Sequence, residues 1–173
     1  MKEFKNYDEA AKKFYNSVKG AGLPLFSWDQ FSLGYSSIQN KLLDVQQLQV
    51  LAKQRLWTSK IDFKQELLDK DRVIVVTKPD LTIVHASSNM PQMNGYLVSE
   101  VKGRTPKMFQ GAKTNPEINR QIRNAIQAEQ PFEAVVVNYR KNGAPYNCWI
   151  KGLPVWNTEG HLVNFIALEK EVA

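Results

Sequence analysis

The chain has 173 residues, with 23 Lys and Arg against 17 Asp and Glu, a formal charge of +6. That length suits one domain plus an extension and is enough to bury a core. One cysteine and two histidines exclude an internal disulfide, a Cys-rich zinc site and a multi-histidine centre, so no metal site is expected.

Residues 7–18 (YDEAAKKFYNSV) read as a short helix, with Asp8 and Glu9 early and Gly20 and Gly22 as stop signals. Residues 22–34 (GLPLFSWDQFSLG) read as an aromatic loop or turn, punctuated by Pro24 and Gly34. Residues 36–57 carry the clearest helical period. Ile38, Leu42, Val45, Ala52 and Leu56 follow 3–4 spacing, and Leu43, Val50 and Trp57 recur every seven. So wide an apolar stripe either packs on the chain's own core or joins two copies. Residues 61–70 (IDFKQELLDK) suggest another short helix.

The texture then changes. RVIVVT (72–77) and LTIVHA (81–86), separated by the turn Lys78-Pro79-Asp80, read as a hairpin. Residues 88–112 are loop-rich with short helical turns. Residues 114–129 predict a helix capped by Thr114, with Pro116 in its first turn and Ile118, Ile122 and Ile126 on one face. Strands follow at 132–140, 144–155 and 162–170, with turns at 141–143 and 157–160. The order predicts an α+β domain at 70–173, a five-stranded antiparallel sheet with helices on one face, preceded by an N-terminal helical extension at 1–69.

Four blocks carry a family resemblance in order: GYLVSEVKGRTPKMFQG (95–111), NRQIRNAI (119–126), VNYRKNGAPYNCW (137–149) and LVNFIALE (162–169). They resemble a PAS domain, closest in pattern to the LOV subgroup. The resemblance implies the PAS fold and binding of flavin mononucleotide (FMN). It implies that Asn138 and Asn147 hydrogen-bond the flavin's pyrimidine edge, that Gln110 meets the ribityl chain, and that Lys107 and Arg123 hold the phosphate. An amide suits a ring edge because it both donates and accepts. Lysine keeps the phosphate's countercharge without arginine's fork.

Two positions depart from the family. Its photoreactive cysteine aligns with Pro106, which has no nucleophile, so no cysteinyl adduct forms there. Cys148 adjoins Asn147 on a strand and is expected to face the other way. Glu169 aligns with the glutamine that faces flavin N5 and O4. A buried carboxyl there is protonated or wet. As a carboxylate it would accept from an N–H and favour reduced flavin.

No nucleotide-binding glycine motif and no paired-carboxylate motif appears, so the expectation is a non-enzymatic module. The dispersed basic residues predict no nucleic-acid partner. No signal peptide and no apolar run of about 18 residues is present, which predicts a cytoplasmic protein without membrane insertion. The few residues after 170 lead to the expectation of a module without an output segment. The two readings are a sensor that binds a small ligand and signals to a partner through its N-terminal helices, and a ligand-free scaffold for dimerisation or docking. In both, residues 23–57 form the contact surface.

Overall fold

The computed structural model describes residues 26–173, with side chains from residue 35 onward. The readings for residues 7–18 and 22–25 lie outside the described residues. In chain order the elements are α1 (Phe26–Gln54), a π-helical turn (Gln65–Asp69), β1 (Val73–Thr77), β2 (Ile83–Ala86), α2 (Met90–Asn94), α3 (Val98–Val101), a 3-10 turn (Pro106–Phe109), α4 (Pro116–Gln127), β3 (Phe132–Tyr139), β4 (Pro145–Trp156) and β5 (Leu162–Val172). The packing described below belongs to one compact unit, Ser37–Ala173, so residues 37–69 share a unit with the sheet.

The five strands form one antiparallel sheet in the order β2-β1-β5-β4-β3. Chain order does not give this arrangement: β5, the last strand, lies centrally between β1 and β4. Strand alternation splits the sheet into two apolar faces. Val73, Val75 and Cys148 pack with Met90, Met93, Val101 and Phe109 on one side. Ile74, Val76, Ile166 and Leu168 pack with Val45, Leu48, Phe63 and Leu67 on the other. The expected short helices therefore lie on one face, while Val45, Leu48, Phe63 and Leu67 cover the other.

Three local expectations need correction. Residues 26–34 are helical, not a loop: α1 begins well before Gly34, and a single glycine, costing about 1 kcal/mol of helix propensity, does not break it. The helix also ends at Gln54 rather than 57. Leu56 takes a left-handed turn (φ 53°), and Trp57 bridges to Asn157 at the sheet. The Trp57 indole N–H donates to Asn164 Oδ1 at 3.0 Å, and Asn164 in turn donates to the Thr77 carbonyl at 2.9 Å. The cap of α4 is Asn115, whose side chain accepts from Glu117 N at 2.8 Å. The Thr114 hydroxyl instead donates to the Val137 carbonyl at 2.6 Å.

The wide stripe of α1 resolves into two arcs. Val45 and Leu48 are buried against the sheet, and Leu48 is fully so. Ile38, Leu43 and Val50 remain more than half exposed. One polar contact also fastens the helix: Asp44 Oδ2 accepts from Ser88 N at 2.7 Å, beside β2. Its other oxygen is 3.9 Å from His85 Nε2, a buried nitrogen that reaches no hydrogen-bond partner. Burial lowers the His85 pKa, which Asp44 opposes and Lys102 assists. The imidazole is therefore neutral at pH 7.

Candidate functional site

A cavity of about 330 Å³ lies between the sheet face that carries Val75 and the layer formed by the 3-10 turn and α4. Its sheet wall comes from the three inner strands and the edge strand β3: Val75 and Thr77 on β1, Glu169 and Ala167 on β5, Ile150 and Gly152 on β4, Val136 and Asn138 on β3. Its roof comes from Pro106, Lys107, Phe109, Gln110, Ile122 and Arg123. The size falls within the range of small-molecule sites, which run from about 300 Å³ upward. The wall is apolar apart from a few polar groups, which is how such sites fix orientation.

Local sequence explains the shape. Pro106 starts the 3-10 turn at a position that needs no N–H. That turn is tied to α4 by a reciprocal amide pair: Gln110 Nε2 donates to Asn119 Oδ1 at 3.2 Å and Asn119 Nδ2 donates to Gln110 Oε1 at 3.1 Å. On the sheet, Gly152 leaves room for the ring of Phe132, its cross-strand partner. A Cβ at residue 152 would overlap that ring.

Of the residues singled out in sequence, Lys107, Gln110, Arg123, Asn138 and Glu169 all line this cavity. Lys107 and Arg123 are exposed and enter no ion pair among the described residues. Asn138 and Glu169 are 4 % exposed each. Asn147 is the exception. It is exposed, and it pairs in register with Val137 and Val172, on the sheet face away from the cavity. The expected opposition of Asn147 and Cys148 holds, but Cys148 is the inward one. It is fully buried and shares a face with Asn138 and Tyr146.

The hairpin itself could have revealed this. Its turn centres on Asn142, so Tyr139 faces Pro145 and Asn138 faces Tyr146. Cross-strand partners then have the same parity, and even-numbered β4 residues share the face of Asn138. A one-residue offset moves every side chain to the other face.

Asn138 and Glu169 on the cavity wall and Cys148, Tyr146 and Asn94 behind it form a buried polar group that sequence reasoning did not assemble. Cys148 Sγ is 4.0 Å from Glu169 Oε2. Burial raises the pKa of both the Cys148 thiol and the Tyr146 phenol, and the charge of Glu169 adds to each. Burial alone pushes Glu169 up to about 7. Asn94, Asn138 and Tyr146 interact electrostatically, yet neither the Tyr146 hydroxyl nor Asn94 Nδ2 reaches a partner of hydrogen-bond geometry. The buried Thr77 hydroxyl, on the cavity wall itself, is also unpartnered. An orphan such as the Thr77 hydroxyl in a cavity wall is what a polar ligand satisfies, since leaving it unpaired costs free energy.

Among the described residues, no helix is long and apolar enough to cross a membrane. The PAS domain family profile matches residues 71–172. Protein TWIN LOV 1 of Arabidopsis thaliana is 34% identical over 114 residues, 64% of this chain and 29% of that protein. Phototropin-2 of Oryza sativa subsp. japonica is 32% identical over 115 residues, 65% of this chain and 13% of that protein. A blue-light-activated histidine kinase of Brucella abortus is 35% identical over 94 residues, 54% of this chain and 19% of that protein. The chain thus spans less than a third of the length of these relatives. Among solved structures, one described as "Flavin Analogue Sheds Light on Light-Oxygen-Voltage Domain Mechanism" superposes with a TM-score of 0.60 at 26% identity. It covers 66% of this chain and 87% of the matched one. The dark structure of the blue-light photoreceptor Aureochrome1 LOV has the same TM-score at 24% identity, covering 66% and 86%, and speaks for the fold.

Proposed function

The chain belongs to the PAS domain family, and we propose that it is a sensory module that binds FMN in the cavity between the sheet and α4. The observation that carries this reading is the cavity's polar pattern. An amide (Asn138), a carboxyl (Glu169) and an unpartnered hydroxyl (Thr77) stand on its wall, with Lys107 and Arg123 at its roof. A ring with N–H and C=O edges satisfies the first set, and a phosphate suits the two cations. The group fits the residues present, with the buried Cys148, not Asn147, on the sheet face of Asn138. The similarity to LOV proteins points the same way. When bound, FMN supplies a heterocycle that absorbs blue light and exchanges electrons. Residue 106 is proline, so the module works without cysteinyl-adduct photochemistry at that position.

Signalling follows from one strand. On β5, Glu169 faces the cavity while its neighbour Leu168 packs in the cluster that holds Val45 and Leu48 of α1. A ligand that binds one arrangement of β5 better than another shifts the population of the α1 contacts. The exposed arc of that helix, with Ile38, Leu43 and Val50, is then available to a partner protein or a second copy. Absorption spectroscopy of the protein incubated with FMN and desalted tests the reading. A retained, structured flavin band is expected, and free FMN must appear on denaturation. A protein that retains no FMN refutes it.

The same exposed arc favours a second reading, a ligand-free scaffold for dimerisation or docking within residues 23–57. Sedimentation mass with and without FMN separates the two. The scaffold self-associates regardless of the ligand.

A further inference from the structure

Glu169 sits where a charge is least welcome. Its register neighbours are Val73 on β1 and Ile150 on β4, both apolar. Its oxygen Oε2 accepts a weak hydrogen bond from a thiol, Cys148 Sγ at 4.0 Å. The other titratable groups facing it, Cys148 and Tyr146 on β4, are themselves held neutral by burial. Asn138 on β3 carries no charge. The charged residues that also line the cavity, Asp80, Lys107 and Arg123, do not offset its burial, which alone sets its proton affinity near neutrality. A neutral carboxyl in this wall is an O–H donor whose hydrogen-bond contact among the described residues is only that weak thiol.

We propose that Glu169 binds the ligand as a protonated carboxyl, donating to an acceptor on the ligand's ring edge, so that ligand uptake above neutral pH also takes up one proton from solvent. The step is a carboxylate plus a proton plus ligand giving a carboxyl hydrogen-bonded to ligand. It selects ligands that present a carbonyl or imine acceptor at that end of the cavity. This deepens the FMN reading and rests on it, because FMN is the probe.

FMN affinity is measured by fluorescence titration between pH 6 and 8.5 for the intact chain and for Glu169→Gln. Riboflavin serves as a control, since it lacks the phosphate whose second ionisation lies near pH 6. The expected wild-type affinity is flat up to about pH 7 and then weakens, approaching about tenfold per pH unit. Riboflavin shows the same slope, and Glu169→Gln shows none. Carbon-13 spectra of the ligand-free wild type, labelled in glutamate side chains, must contain one carboxyl that titrates near neutrality. FMN uptake without a pH slope, a slope retained in Glu169→Gln, or no such carboxyl overturns the proton coupling alone. No FMN uptake by either protein at any pH overturns the cofactor reading and this inference with it.

Discussion

Replacing Glu169 by Gln tests the site without any ligand. The two side chains are nearly isosteric, but only glutamate titrates. The carboxyl titrates at 4.5 in its ordinary state and at about 7 in the folded protein, with burial as the cause. Between these values the native state keeps a proton that the unfolded chain has released. Stability therefore falls as pH rises through that window and is level above it. Each pH unit of the gap is worth about 1.4 kcal/mol, which makes the full penalty about 3 kcal/mol, an upper figure because water entering the cavity would lower it. Glu169→Gln removes this penalty. Urea unfolding at pH 4.5, 6, 7 and 8 is expected to show the variant gaining on the wild type by up to about 3 kcal/mol between the first and last conditions. Any fixed offset between amide and carboxyl appears at every pH and cancels. A stability difference that stays constant across the series, or grows toward acid, refutes the reasoning.

Other variants address the remaining parts. Leu48→Ala empties the contact between α1 and the sheet and is expected to cost about 2–5 kcal/mol in urea unfolding. Leu43→Ala, on the exposed arc, changes monomer stability by about 0.5 kcal/mol at most, and its effect should appear in sedimentation as weaker self-association. Asn138→Ala is expected to weaken FMN binding by about 1–3 kcal/mol, while Asn147→Ala leaves fluorescence titration curves unchanged. Equal losses for the two would mean that the strand faces are assigned wrongly. Gly152→Ala pushes against the Phe132 ring and is expected to destabilise by about 1–3 kcal/mol, with Phe132→Ala in the same chain relieving the strain.

The amino-acid sequence by itself determined the element order from residue 72 on, because alternation and turn residues act locally. It carried the PAS pattern, and with it five residues that line the cavity. It also determined that Asn147 and Cys148 oppose each other, since successive strand residues do so wherever the strand lies. Period two states a relative orientation. Which residue of the pair faces the cavity depends on hairpin register and on which side of the sheet the helices pack, and only the tertiary structure decided that. The same holds for α1. A 3.6-residue period announces a helix, but a stripe wider than one contact face does not say which arc meets the sheet. Packing chose Val45 and Leu48 and left Ile38, Leu43 and Val50 outside. The polar group around Glu169 was least legible of all. Its members come from α2 and three separate strands, and a carboxyl's proton affinity reflects what surrounds it in space, not its neighbours along the chain.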